Sequence, residues 1–162
     1  MKKILLFFAM LTYCTMSMNA QEVYNSIKSK ATETVNNPLV NPIVKQINQF
    51  KLDALDYMVI KMKEQMPDST VTFLDKEAFA LNNFITLYTQ SILDNRNQPA
   101  AHQVKIIKLF IDASYSNPLF NDPDKELVHV YYNNGESLTR FSLDTDWRLA
   151  YIAAATEIKK IK

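Results

Sequence analysis

A mainly α fold of the α+β kind is what the sequence predicts: a bundle of four or five helices with one β-hairpin inserted before the C-terminal helix. Three observations lead there. Apolar residues recur at helical spacing over most of the chain, which is the signature of amphipathic helices. Residues 127–143 break that rhythm with two β-rich arms around Asn134-Gly135. Asn-Gly is the strongest short hairpin signal, because a type I′ turn needs positive φ at both central residues. After residue 143 the helical rhythm returns and runs to the end.

The first twenty residues are of a different kind. Lys2 and Lys3 precede an apolar run from residue 4 to 11, and Ser17-Met18-Asn19-Ala20 forms a small-residue exit before Gln21. This resembles bacterial export signals in general, with cleavage after Ala20. The apolar run is shorter than the ~20 residues a membrane-spanning helix needs. Leu11-Thr12-Tyr13-Cys14 loosely resembles a lipoprotein acylation site, but that site wants a small residue where Tyr13 stands. We therefore read residues 1–20 as a signal peptide, 21–162 as a single helical-bundle domain, and the location as periplasmic or secreted. Lipid anchoring at Cys14 is set aside.

Within residues 21–162 each element follows from local pattern. Residues 22–35 carry a thin apolar edge of Val23, Ile27 and Ala31, a first helix. Asn37-Pro38 and Asn41-Pro42 interrupt it, since a residue before proline avoids helical angles. Residues 43–66 form the longest helical pattern, with Ile43, Ile47, Phe50, Ala54, Met58 and Met62 on one face. Residues 70–74 (TVTFL) are β-prone and predict a short strand able to extend the hairpin.

Asp75 has the chemistry of an N-cap for the next helix, with Leu74 and Phe79 at the positions of a hydrophobic staple. Ala78, Leu81, Phe84, Ile85, Tyr88 and Ile92 carry that helix's apolar face. Residues 99–115 are apolar around most of the helical circumference, which predicts the central helix of the bundle. Pairing the hairpin about Asn134-Gly135 turns Val128, Val130, Thr139 and Phe141 inward, and His129, Tyr131, Leu138 and Arg140 outward. Asp144 or Asp146 caps a final helix over residues 147–161, whose C-terminal lysines suit the helix dipole.

Composition removes whole classes of function. Gly135 is the sole glycine, so neither a phosphate-cradling loop nor a dinucleotide fingerprint exists. The single cysteine, Cys14, leaves with the signal peptide, and with it go disulfides, zinc–thiolate sites and a cysteine nucleophile. The formal net charge of +1 becomes −1 once Lys2 and Lys3 are removed, without a basic block, so no nucleic-acid footprint is expected. No cofactor and no metal are expected either. Met58, Met62 and Met66 could offer thioethers to Cu(I), but without histidine nearby they read as core filler. Asp122, Asp124 and Glu126 could face Ca²⁺, but Leu127 stands where an EF-hand loop needs glycine.

What remains is a non-enzymatic binding or interaction module of unknown ligand, acting on an unknown protein or cell-envelope partner. The alternatives are an exported hydrolase acting on cell-wall or glycan material, and a carrier of a small apolar ligand. No catalytic residue is assigned. The binding residues we name are His129, Tyr131 and Arg140, because an Arg fork, a tunable imidazole and a tyrosine on one face suit a carboxylate-bearing partner.

Overall fold

The computed structural model describes residues 21–124 and 138–161. Five helices follow in order: α1 (Gln21–Asn36), α2 (Pro42–Gln65), α3 (Asp75–Asp94), α4 (Ala100–Tyr115) and α5 (Trp147–Ile161). Helix makes up 74% of the described residues, well above the ~30–35% of an average globular domain. No helix among the described residues is long and apolar enough to cross a membrane.

The ends of the helices have local causes. Asn41 accepts the backbone N–H of Ile43 on its side-chain oxygen at 2.9 Å, and Pro42 opens α2 where a missing N–H costs nothing. Asp146 takes the N–H of Leu149 at 2.9 Å and so caps α5; of the two acids considered for that role, it is the one that serves. Asp75 does not cap its own helix. Leu74 holds the N-cap position of α3 without a side-chain hydrogen bond, and Phe79 is 56% exposed, so no hydrophobic staple forms there.

The β elements are where the structure departs from expectation. No strand occurs among the described residues, so the expected β-hairpin is not found among them and the described fold is a helical bundle alone. The expected third strand is a short 3-10 turn, Val71–Leu74, which swings the chain from α2 into α3. The hairpin's second arm is described from Leu138 onward and runs without regular structure; its first arm and Asn-Gly turn, residues 127–137, lie outside the described residues. A half-buried strand alternates inward and outward residues. Here Phe141, Ser142, Leu143, Asp144 and Thr145 are all buried in succession. Several polar groups of residues 138–145 bond to helices α3 and α4. Thr145 Oγ1 donates to the carbonyl of Ser114 at 2.8 Å, the Ser142 N–H donates to Ser114 Oγ at 3.3 Å, and the Tyr88 hydroxyl donates to the carbonyl of Leu138 at 2.7 Å.

The centre of the bundle is α3, not α4. Helix α3 touches each of the other four helices, whereas α4 packs only on α3 and α5. Val104, placed on the main apolar stripe of the expected central helix, is 60% exposed, and Ile107 is half-buried. Phe84 of α3 lies at the middle of an aromatic cluster. Its ring meets Phe110 at 5.3 Å, Phe141 at 5.2 Å and Trp147 at 5.4 Å, all edge to face. Phe50 joins through Phe141 and Trp147, and Tyr88 through Phe110 and Phe141. The cluster therefore draws on α2, α3, α4, α5 and the irregular segment at once. Edge-to-face pairs add about 0.5–1.5 kcal/mol each beyond their buried area.

The turn that follows α4, at residues 119–122, is held by charge. Asp144 accepts three backbone N–H groups, from Leu119 (2.9 Å), Phe120 (2.7 Å) and Asp122 (2.9 Å). Asp122 in turn takes the Tyr57 hydroxyl at 2.9 Å and the Lys61 ammonium at 3.0 Å. Burial works against ionisation of Asp122. The N–H of Asp124, Lys61 and Tyr57 outweigh it and hold the carboxyl below its usual range.

Replacing Phe84 with alanine should cost roughly 3–5 kcal/mol, a large share of the ~5–15 kcal/mol expected of a domain this size. Phe79→Ala, on the same helix but exposed, should stay within about 0.5 kcal/mol. Chemical denaturation of the two variants decides whether α3 is the axis of the core.

Candidate cleft at the first turn of α3

The first turn of α3 reads Asp75-Lys76-Glu77. Successive helical residues point about 100° apart, so the three side chains fan out in different directions. Asp75 and Glu77 are buried, while Lys76 is exposed between them. Asp75 turns toward α1, where its Oδ1 accepts the backbone N–H of Tyr24 at 2.9 Å. Glu77 turns toward α5. Its Oε2 accepts the N–H of Trp147 at 2.9 Å, and its Oε1 takes Nε of Arg148 at 2.6 Å.

Trp147 is the first residue of α5, and the N–H groups of a first turn have no acceptor within the helix. Glu77 supplies one from another element, and its negative charge also suits the positive end of the α5 dipole. Burial, and then the nearby Asp146 carboxylate, push the Glu77 carboxyl above its usual range, against the opposing pull of Arg148 and the Trp147 N–H.

Beside this junction lies a cleft of about 370 Å³ lined by Thr72, Phe73, Lys76, Glu77, Leu119 and Arg148. It comes from three places in the sequence: the 3-10 turn, the first turns of α3 and α5, and the Asp144-held turn. Phe73 is 51% exposed, giving the cleft an aromatic wall. The Arg148 guanidinium reaches Glu77 through Nε and Asp146 through Nη2 at 3.6 Å. Lys76 has no carboxylate partner among the described residues. The cleft thus offers one uncommitted ammonium, one partly committed guanidinium and an apolar wall. Both oxygens of Glu77 are occupied by N–H donors, and no nucleophile–base pair lines the space.

Of the residues named from the sequence, Arg140 is half-buried and lies near the Tyr88 hydroxyl, whose pKa burial raises to about 12 while Arg140 pulls it down. His129 and Tyr131 lie outside the described residues, as does any grouping of them with Arg140. Met58 and Met62 are buried in the core at 0% and 1% exposure, so that face of α2 is interior packing. The Asp122 carboxylate is engaged by three donors, the Tyr57 hydroxyl, the Lys61 ammonium and the Asp124 N–H, and Asp53 accepts from Gln49 on the same helix. His102 Nε2 lies 3.1 Å from Asn95 Oδ1, closing the α3–α4 turn.

Sequence reading passed over Lys76, Arg148 and Phe73. Asp75 beside Lys76 reads as a capping residue and Glu77 carries no local signal; nothing local says that α5 starts beside them. Comparison with family models, with curated proteins and with solved structures gave no match.

Glu77 yields a test with a defined sign. A carboxyl whose folded pKa is raised gives stability that is complete below its unfolded value, near 4.3, and is lost as pH rises through the folded value. Wild type should therefore gain on Glu77→Gln as pH falls from 7 toward about 4. At pH 7 the Gln variant, which keeps an acceptor for Trp147, should lie within ~1 kcal/mol of wild type, whereas Glu77→Ala should lose about 1–3 kcal/mol. Urea titrations at the two pH values measure all three.

Proposed function

We propose that the protein is an exported binding module, freed of residues 1–20 on export, whose α3–α5 cleft grips a carboxylate set next to an apolar side chain. The observation that carries this reading is the pairing of the uncommitted Lys76 ammonium with the Arg148 guanidinium against the exposed Phe73 ring, in one cleft. Two cations are a natural match for a carboxylate, and arginine presents the planar fork that such a group fits. A partly open cleft of this size buries a side chain or two. It suits a peptide segment of a protein or cell-envelope partner better than a large cofactor.

A minimal probe is N-acetyl-phenylalanine, which carries one carboxylate and one aromatic ring. At about 0.3 kcal/mol per heavy atom over roughly 15 atoms, its Kd should be on the order of 1 mM. NMR titration should show shifts at Phe73, Lys76 and Arg148, absent with the corresponding amide and weakened about fivefold by Lys76→Ala. Equal binding of acid and amide, or binding that ignores Lys76→Ala, would reject the cleft as the site.

A further inference from the structure

Asp75 holds an unexplained atom. Its residue is 7% exposed, and while Oδ1 accepts the Tyr24 N–H, Oδ2 is buried with no hydrogen-bond partner among the described residues. A half-matched buried carboxylate is costly unless something charged or polar completes it. Neither neighbouring acid nor base does so here. Lys76 is exposed, Glu77 is engaged with α5, and on the α1–α2 side Asp56 pairs with Lys28.

The position of this oxygen says what would complete it. Asp75 faces the first turn of α1, which begins at Gln21. Helical rise places the Gln21 nitrogen only about 4.5 Å along the axis from that of Tyr24, within reach of the same carboxylate. Tyr24 fixes this turn in place. It is 3% exposed, and its hydroxyl donates to the carbonyl of Leu55 on α2 at 3.2 Å. The export signal read from the sequence puts the cleavage point at this same nitrogen.

We infer that Asp75 is the receptor for the chain's own processed N-terminus, pairing through Oδ2 with the α-ammonium of Gln21. In the precursor that nitrogen is a neutral amide. Hydrolysis of the Ala20–Gln21 bond by an export endopeptidase, with water as co-reactant, leaves a carboxylate on Ala20 and an amine on Gln21 that takes up a proton. Processing thereby supplies the missing cation at a buried anion and tightens the α1–α3 junction. Signal removal and completion of the fold become one event. The inference is independent of the cleft's ligand.

The test uses the chain from residue 21 to 162 with Gln21→Ser, which prevents cyclisation of the amine, compared with the same chain acetylated at its N-terminus. The free-amine form should melt about 4 °C higher at pH 6. That difference should vanish when Asp75→Asn is added. NMR titration of the α-amine, which needs no Asp75 variant to fold, should give a pKa about one unit above the ordinary ~7.7–8.0. Equal melting of the two forms, a difference that survives Asp75→Asn, or an amine titrating at its ordinary value would each overturn the inference. Intact mass of the exported protein gives the cellular arm. A chain beginning at Gln21 with its amine intact supports it, and another start or an amine lost to cyclisation overturns it.

Discussion

The structure depends on buried carboxylates that accept backbone N–H groups from distant parts of the chain. Asp75 reaches Tyr24 across 51 residues of sequence, Glu77 reaches Trp147 across 70, and Asp144 gathers the turn at Leu119, Phe120 and Asp122. Each such bond to a charged acceptor contributes about 1.5–3 kcal/mol and, unlike apolar packing, has a required geometry. The aromatic cluster around Phe84 supplies most of the cohesion. The carboxylates decide which helix ends meet. Two of them come from one turn of α3, so that turn fixes where both α1 and α5 begin relative to the core, and the cleft is the surface consequence of the same junction.

Helix positions were readable because they rest on local signals: apolar spacing, the Asn-Pro breaks, and an aspartate ahead of the last helix as its cap. Centrality was not. The 99–115 segment drew attention by its apolar circumference, yet Val104 is exposed and α4 stands at the side. Helix α3 concealed its place because part of its buried surface is polar. Asp75, Glu77 and Ser91 look like solvent-facing residues until their partners arrive from elsewhere.

The hairpin expectation failed for a related reason. At residues 138–141 the inward and outward sides were correctly told apart, with Thr139 and Phe141 buried and Leu138 exposed. Alternation over four residues does not make a strand when the next four are all interior and two of them, Ser142 and Thr145, bond to Ser114 of helix α4. For residues 70–74, β-propensity had no ladder to join, and the chain closes a 3-10 turn instead. The cleft residues were invisible for want of a long-range contact: Lys76 and Arg148 lie in separate helices, and the bonds of Glu77 to Trp147 and Arg148 bring their ends together.

Glu77 serves as the acceptor for the start of α5. Amides in the first turn of a helix ordinarily exchange with solvent quickly, having no acceptor of their own. Hydrogen exchange at the Trp147 amide tests the claim most directly. Protection comparable to that of core amides in α3, falling to that of a free helix end in Glu77→Ala, is the predicted result. Fast exchange of Trp147 in the wild-type protein would contradict it.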